Sequence, residues 1–185
     1  TAAVYQGSEE AIGRAVAHRR AEYVLVSKCG TPGSPESDQW KPAALTAAVD
    51  TALTRLQTDR LDVMLLHSCG LELLQRGDAL EALVRARDAG KIHHVGYSGD
   101  NEAAAHAVTL PDIAVVETSI NICDQANIDA VLPDARKNDV AVIAKRPIAN
   151  AAWKSRSEQQ GFYRDYADTY AKRLSTMQIA PSDLG

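Results

Sequence analysis

The chain has 185 residues, 45% of them hydrophobic, and a formal net charge of −4. That length is enough for one domain with a real core, and residues 1–185 are read as a single domain. Mild acidity without a basic block excludes nucleic acid and anionic membrane as electrostatic partners, and no apolar run is long enough to span a bilayer.

Ser8, followed by Glu9 and Glu10, starts a helix, with the two carboxylates near the positive end of its dipole. Residues 23–27 form a first strand around the apolar run Val24-Leu25-Val26. Residues 29–41 are a loop rich in Gly, Pro and Ser. Leu45, Ala48, Val49, Ala52, Leu53 and Leu56 recur at helical spacing and make one apolar stripe. Residues 61–67 form a second strand, with Val63-Met64-Leu65-Leu66 apolar throughout. Asp78 with Glu81 resembles a capping box, and Gly90 sits where a left-handed helix cap belongs. Strands follow at 93–97, 114–117 and 140–144. A helix with its stripe on Ile128, Val131, Leu132 and Ala135 separates the last two. An irregular stretch runs over 147–161, and a less patterned helix covers 162–174.

Strands that read as continuous apolar runs are buried on both faces, as in a parallel sheet covered by helices. Repeated βα units leave an open doubly wound sheet or a closed barrel. The open dinucleotide-binding form would carry G-x-G-x-x-G after its first strand, and Gly7 and Gly13 do not make that spacing. The absence of that fingerprint favours the barrel over the open sheet.

Polar residues close the apolar runs: Lys28, His67 and Ser98 on the first three, Glu117 and Asn121 on the fourth, Lys145 and Arg146 on the fifth. Each has an ordinary alternative as a solvated rim group or a satisfied structural one. In a barrel, however, all strand C-termini open at one mouth, so the five ends would deliver these groups to a single cavity. Cys29, Cys69 and Cys123 are an odd set without close spacing, which reads as reduced thiols of a cytoplasmic protein. Cys29 and Cys69 follow neighbouring strands, so a pair between them stays open. A zinc site on His67, Cys29 and Cys69 matches no ligand spacing, and no metal is expected.

Thr1-Ala2-Ala3-Val4-Tyr5 and Ser8-Glu9-Glu10-Ala11-Ile12-Gly13 resemble the aldo-keto reductase segment D-T-A-x-x-Y-x-x-S-E-x-x-(I/L)-G. Val24-Leu25-Val26-Ser27-Lys28 resembles that family's strand ending in its catalytic Lys. Leu53-Thr54-Arg55-Leu56, Leu61-Asp62 and Leu65-Leu66-His67 resemble S-L-x-R-L, L-D and L-x-H. Gly90-Lys91-Ile92 and Val95-Gly96-Tyr97-Ser98 resemble G-K-I-R-x-(I/V)-G-V-S-N. The matches keep their order over about residues 1–150.

The resemblance implies an α/β fold, a (β/α)8 TIM barrel, with five to six βα units present here. The family's first strand and most of its second would precede Thr1. Its eighth strand and its site for the adenosine 2′-phosphate would follow Gly185. Five strands alone would leave two sheet edges exposed, so either a longer polypeptide or an association of fragments is expected to complete the barrel. The activity implied is reduction of aldehydes or ketones to alcohols, or the reverse, by hydride transfer from NADPH or NADH. Tyr5 would be the general acid, Lys28 would lower its pKa, and His67 would orient the carbonyl. The fourth catalytic residue, an Asp paired with the Lys, would stand immediately before Thr1.

For the cofactor, Ser98 matches a hydroxyl that binds the nicotinamide carboxamide. Gly99 replaces the Asn that follows it in the family. Glu117 replaces a Gln, and a carboxylate accepts from the carboxamide NH2 but cannot donate to its oxygen. Lys145-Arg146-Pro147-Ile148 falls where relatives have aromatic-Ser-Pro-Leu. Lys145 cannot stack as the aromatic does, whereas Arg146 suits either the cofactor pyrophosphate or a structural salt bridge. These departures keep a second expectation open, a non-catalytic nicotinamide-binding partner subunit. Asp62 is expected to be structural, and Trp40 and Trp153 either line the substrate pocket or pack into their loops.

Overall fold

The computed structural model describes residues 1–31, 37–159, 161 and 163–178. Five strands, β1 (Val26–Cys29), β2 (Leu61–His67), β3 (Ile92–Ser98), β4 (Ile113–Ser119) and β5 (Ala141–Lys145), form one sheet. All are parallel, and their order in the sheet is their order in the chain. A doubly wound sheet reverses its order at a switch point; unbroken succession is how strands follow one another around a barrel wall.

Seven α-helices are described: α1 (Ser8–Val16), α2 (Pro42–Leu56), α3 (Leu71–Arg76), α4 (Asp78–Asp88), α5 (Asn101–Ala107), α6 (Ala126–Lys137) and α7 (Tyr163–Thr176). Side chains alternate across a strand, and β2 shows the consequence. Met64 and Leu66 enter the large core shared with Leu45, Val49, Leu56 and Leu83 of α2 and α4. Val63 and Leu65 point to the other face, where they form a small cluster with Val115. The helices thus cover one face, and the second is the concave face toward which the site residues turn. Among the described residues no helix is long and apolar enough to cross a membrane.

The stripe on α2 is as expected, with Leu45, Val49, Ala52 and Leu56 buried. Gly90 closes the α4 segment at φ +75°, where an L side chain would be strained. Other expectations need correction. The first strand begins at Val26, not at residue 23, because the Leu25 N–H donates to the Asp62 carboxylate at 2.6 Å instead of to a ladder. Asp62 also accepts from Arg20 at 2.7 Å, so it ties the entrance of β1 to β2. β1 runs on to Cys29, so Lys28 lies inside it rather than at its end.

The capping box at Asp78 does not form. Gly77 occupies the cap position, Asp78 accepts from the Ala79 N–H, and Glu81 pairs with Arg85 at 2.6 Å. Ser8 is the first residue of α1 behind a left-handed Gly7, and its hydroxyl meets Thr1 Oγ1 rather than capping the helix. On α6 the buried face is Asn127, Val131 and Ala135, and Ile128 is exposed. A polar residue takes that face because Asn127 donates to the Ser119 carbonyl and accepts from the Asn101 N–H. The last helix runs over Tyr163–Thr176. Phe162, residue 160 and residues 32–36, which fall within the expected last helix and the two expected loops, lie outside the described residues.

Candidate active site

The strand register assembles the site. His67 of β2 is level with Ser98 of β3, and Ser98 is level with Glu117 of β4. Three consecutive strands therefore place imidazole, hydroxyl and carboxylate in one row on the concave face. Ser119 and Lys145 form the next row up, on β4 and β5. Lys28 is level with Leu65, two residues below His67, and reaches upward from β1.

Beyond these strand ends lies a cavity of about 850 Å3 whose walls include Tyr5, His67, Ser98, Glu117, Lys145 and Arg146. That volume suits a small-molecule or cofactor site. Tyr5 sits in the turns before α1 and is 48% exposed at the cavity wall. Its ring meets the His67 ring edge-on, with centroids 5.8 Å apart, and Lys28 Nζ stands 5.6 Å from the Tyr5 centroid. A phenol, an ammonium and an imidazole from separate parts of the chain thus converge at one opening.

Lys28 Nζ donates to the Thr1 carbonyl at 3.2 Å and pairs with Glu117 Oε2 at 3.1 Å. Three flat strand spacings of ~4.8 Å would hold β1 and β4 about 14 Å apart. The direct pair across β2 and β3 follows from the curl of the sheet toward a barrel.

His67 is buried, and its Nδ1 finds no hydrogen-bond partner among the described residues. Burial first, and then the nearby Lys28 and Lys145 charges, push its pKa down to about 4, so the imidazole is neutral at physiological pH. A His depressed from 6.5 takes up a proton in the unfolded chain before it does so in the folded one. Its contribution to stability is complete above about pH 6.5 and is lost as pH falls toward 4. His67→Gln should therefore flatten the slope of unfolding free energy against pH between those values by up to about 1.4 kcal/mol per pH unit, one proton's worth. Urea titrations across that range check it, and an unchanged slope would show that His67 does not titrate this way.

Asp100 organises the far wall. Its carboxylate accepts from Thr118 Oγ1 at 3.0 Å and the Ser119 N–H at 2.7 Å, and it pairs with Lys145 at 3.1 Å and Arg146 at 3.6 Å. Burial works against ionisation, but the Ser119 N–H and the Lys145 ammonium hold the carboxyl below its ordinary range. Arg146 also donates to Ser119 Oγ at 2.6 Å and to the Tyr166 hydroxyl at 2.9 Å. Neighbouring strand residues normally face opposite ways. Lys145 and Arg146 both reach the cavity because Arg146, just past β5, turns to φ +57°.

The remaining expected residues fall elsewhere. Gly99 is buried against Tyr97; a Cβ there would lie 2.3 Å from the Tyr97 hydroxyl oxygen, which leaves no room for Asn, and its N–H already donates to the Glu117 carbonyl. Asn121 turns into a bridge with Asp124 and accepts from the Cys123 N–H instead of lining the cavity. Trp40 packs over Gly30 in the core and Trp153 is exposed, so neither forms part of the cavity wall. Cys29 and Cys69 are free thiols, both pushed up to about 12 by burial. Glu117 is not a solvated carboxylate, since only 14% of its side chain is exposed.

Asp100, Asn127 and Tyr166 were not legible as site residues. Asp100 before Asn101 and an Ala-rich helical run carries only a helix-cap signal, whereas its partners come from three later elements.

Residues 1–177 match the model of the Aldo/keto reductase family. The chain belongs to the aldo/keto reductase family. An aldo-keto reductase of Mycolicibacterium smegmatis is 34% identical over 156 residues, 83% of this chain and 52% of that protein. The chain thus spans about half the length of the curated relatives it matches. Among solved structures, an aldo-keto reductase from Bacillus halodurans in its holo form has a TM-score of 0.76, with 23% identity over 98% of this chain and 62% of that one. An aldo/keto reductase from Klebsiella pneumoniae in complex with NADP and acetate has a TM-score of 0.69, with 29% identity over 82% of this chain and 53% of that one. The aldo/keto reductase sheet seen here is accordingly part of a (β/α)8 barrel.

Proposed function

We propose that the protein interconverts carbonyl compounds and alcohols with a nicotinamide cofactor, and that this chain supplies its proton-transfer residues. The observation that carries the proposal is the convergence of Tyr5, Lys28 and His67 at the cavity opening. Family membership supports the reaction class.

The donor set fits a nicotinamide. The Ser98 hydroxyl can donate to a carboxamide oxygen, and Glu117 can accept from its NH2 group. Arg146, with a planar guanidinium at the cavity wall, suits phosphate oxygens. NADPH is the proposed cofactor, because the Klebsiella pneumoniae relative was solved with NADP. When bound, the nicotinamide supplies or accepts the hydride. In reduction, Tyr5 Oη gives its proton to the carbonyl oxygen as that oxygen gains negative charge, and the alcohol leaves. Lys28 makes the proton easier to release, since a nearby cation favours the phenolate left behind. His67 is neutral, so one ring nitrogen can donate to the carbonyl oxygen without adding a charge that would compete with Lys28.

The test is oxidation of NADPH, and in parallel of NADH, by the purified protein with a panel of aldehydes and ketones. Carbonyl-dependent turnover, faster with NADPH, is expected. Tight NADPH binding without turnover on any carbonyl would replace this reading with the partner-subunit role.

A further inference from the structure

Glu117 turns its carboxylate across the cavity toward β1. Oε2 lies 3.1 Å from Lys28 Nζ, and Oε1 accepts from Ser98 Oγ at 3.4 Å. The Lys28 and Glu117 side chains are 6% and 14% exposed, so little water screens the pair. The family resemblance puts a neutral Gln at this position. The exchange to Glu is therefore a charge change, made where the side chain meets the ammonium beside the proposed proton donor.

We infer that Glu117 is a positioning residue for Lys28, its carboxylate holding the ammonium next to the Tyr5 ring and keeping that cation paired inside the cavity. This rests on the reading of Tyr5 as proton donor. The other partner of Lys28, the Thr1 carbonyl, orients the ammonium but does not neutralise it. Further charges bear on the pair. Tyr5 faces it from the N-terminal segment. His67 faces it from β2 and is neutral. Lys145 acts from the end of β5 and is itself paired with Asp100, which also holds Arg146. Glu117 is the one carboxylate in contact with Lys28 among the described residues.

The consequence has a definite sign. Tyr5 and Lys28 form a contact pair, with the ammonium 5.6 Å from the ring centroid. A negative charge beside the ammonium offsets its pull on the Tyr5 proton, and a neutral amide does not. Glu117→Gln should therefore lower the pH at which Tyr5 deprotonates by about one unit, the low end for a unit charge within about 4–6 Å. Reduction needs Tyr5 protonated, so the alkaline fall of kcat/KM should move down by the same amount.

Two measurements test this on wild type, Glu117→Gln and Glu117→Asp. One is an NMR titration of tyrosine labelled at Cζ, without substrate or cofactor, with Tyr5 assigned by the signal lost in Tyr5→Phe. The other is the pH profile of kcat/KM with NADPH. The expected result is a downward displacement of both in Glu117→Gln, with Glu117→Asp moved in the same direction by less. The Asp variant keeps the charge and decides the matter by itself if the Gln variant does not fold. A residue that only shaped the wall, or only held the carboxamide, would change rate or cofactor KM equally at every pH and leave the Tyr5 midpoint alone. That outcome, or an upward displacement, overturns the inference. If wild type shows no turnover, the functional reading fails, yet the Tyr5 titration still decides whether Glu117 acts on the pair.

Discussion

Tyr5→Phe is expected to reduce NADPH-dependent carbonyl turnover by about 10²–10⁴-fold, the range that general acid catalysis contributes. The substitution removes one oxygen from a ring that is half exposed in a turn, so the fold has little to lose. The His67 edge contact is made by the ring and survives it. What disappears is the proton donor. Lys28 cannot take its place, because its ammonium is already held by Glu117 and the Thr1 carbonyl. Neutral His67 cannot either, because at physiological pH it lacks the second ring proton, which it binds only near pH 4. The loss should therefore fall on kcat and kcat/KM together, as for an interaction made in the transition state, while NADPH affinity stays at the wild-type value. Stopped-flow single turnovers and fluorescence titration with NADPH separate the two quantities. A variant with full single-turnover rates would remove Tyr5 from the mechanism.

The parts of this site legible in the sequence are those fixed by local pattern. The apolar run 61–67 sets β2 with its bounds as read, and parity along that strand then sends His67 to the same face as Val63 and Leu65. The order of motifs gave Tyr5, Lys28 and His67, and the three do lie together. The misreadings have tertiary causes. Residues 23–25 have strand-like composition, but the Asp62 carboxylate, held by Arg20, takes the Leu25 N–H that a ladder would need. Ile128 belongs to a helical stripe on periodicity alone, yet Asn127 wins the buried face because three polar partners from other elements await it. The Lys28–Glu117 pair depends on curvature. Residues 89 apart on non-neighbouring strands touch only when the sheet bends, and no window of sequence reports that.

Asp100→Ala is expected to destabilise the protein by about 3 kcal/mol, the low end for breaking a buried ion pair by removing one partner. The low end applies because 27% of the Asp100 side chain remains exposed. The cost comes from what is left behind. Lys145 and Arg146, 15% and 24% exposed, would face each other at the cavity wall without their shared counter-charge. The Ser119 N–H and Thr118 Oγ1 would lose an acceptor as well. Asp100→Asn separates these contributions. Its amide oxygen still accepts from Ser119 and Thr118, so only the charge is lost, and a smaller cost of about 1–2 kcal/mol is expected. Guanidinium unfolding adds salt that screens the very interaction in question, so urea is the appropriate denaturant. The midpoint should fall in the order wild type, Asn, Ala with an unchanged m-value. Equal midpoints for Asn and Ala would mean that the charge alone matters. A loss below about 1 kcal/mol in both, the value of an exposed pair, would mean that water reaches Lys145 and Arg146 well enough to make Asp100 dispensable.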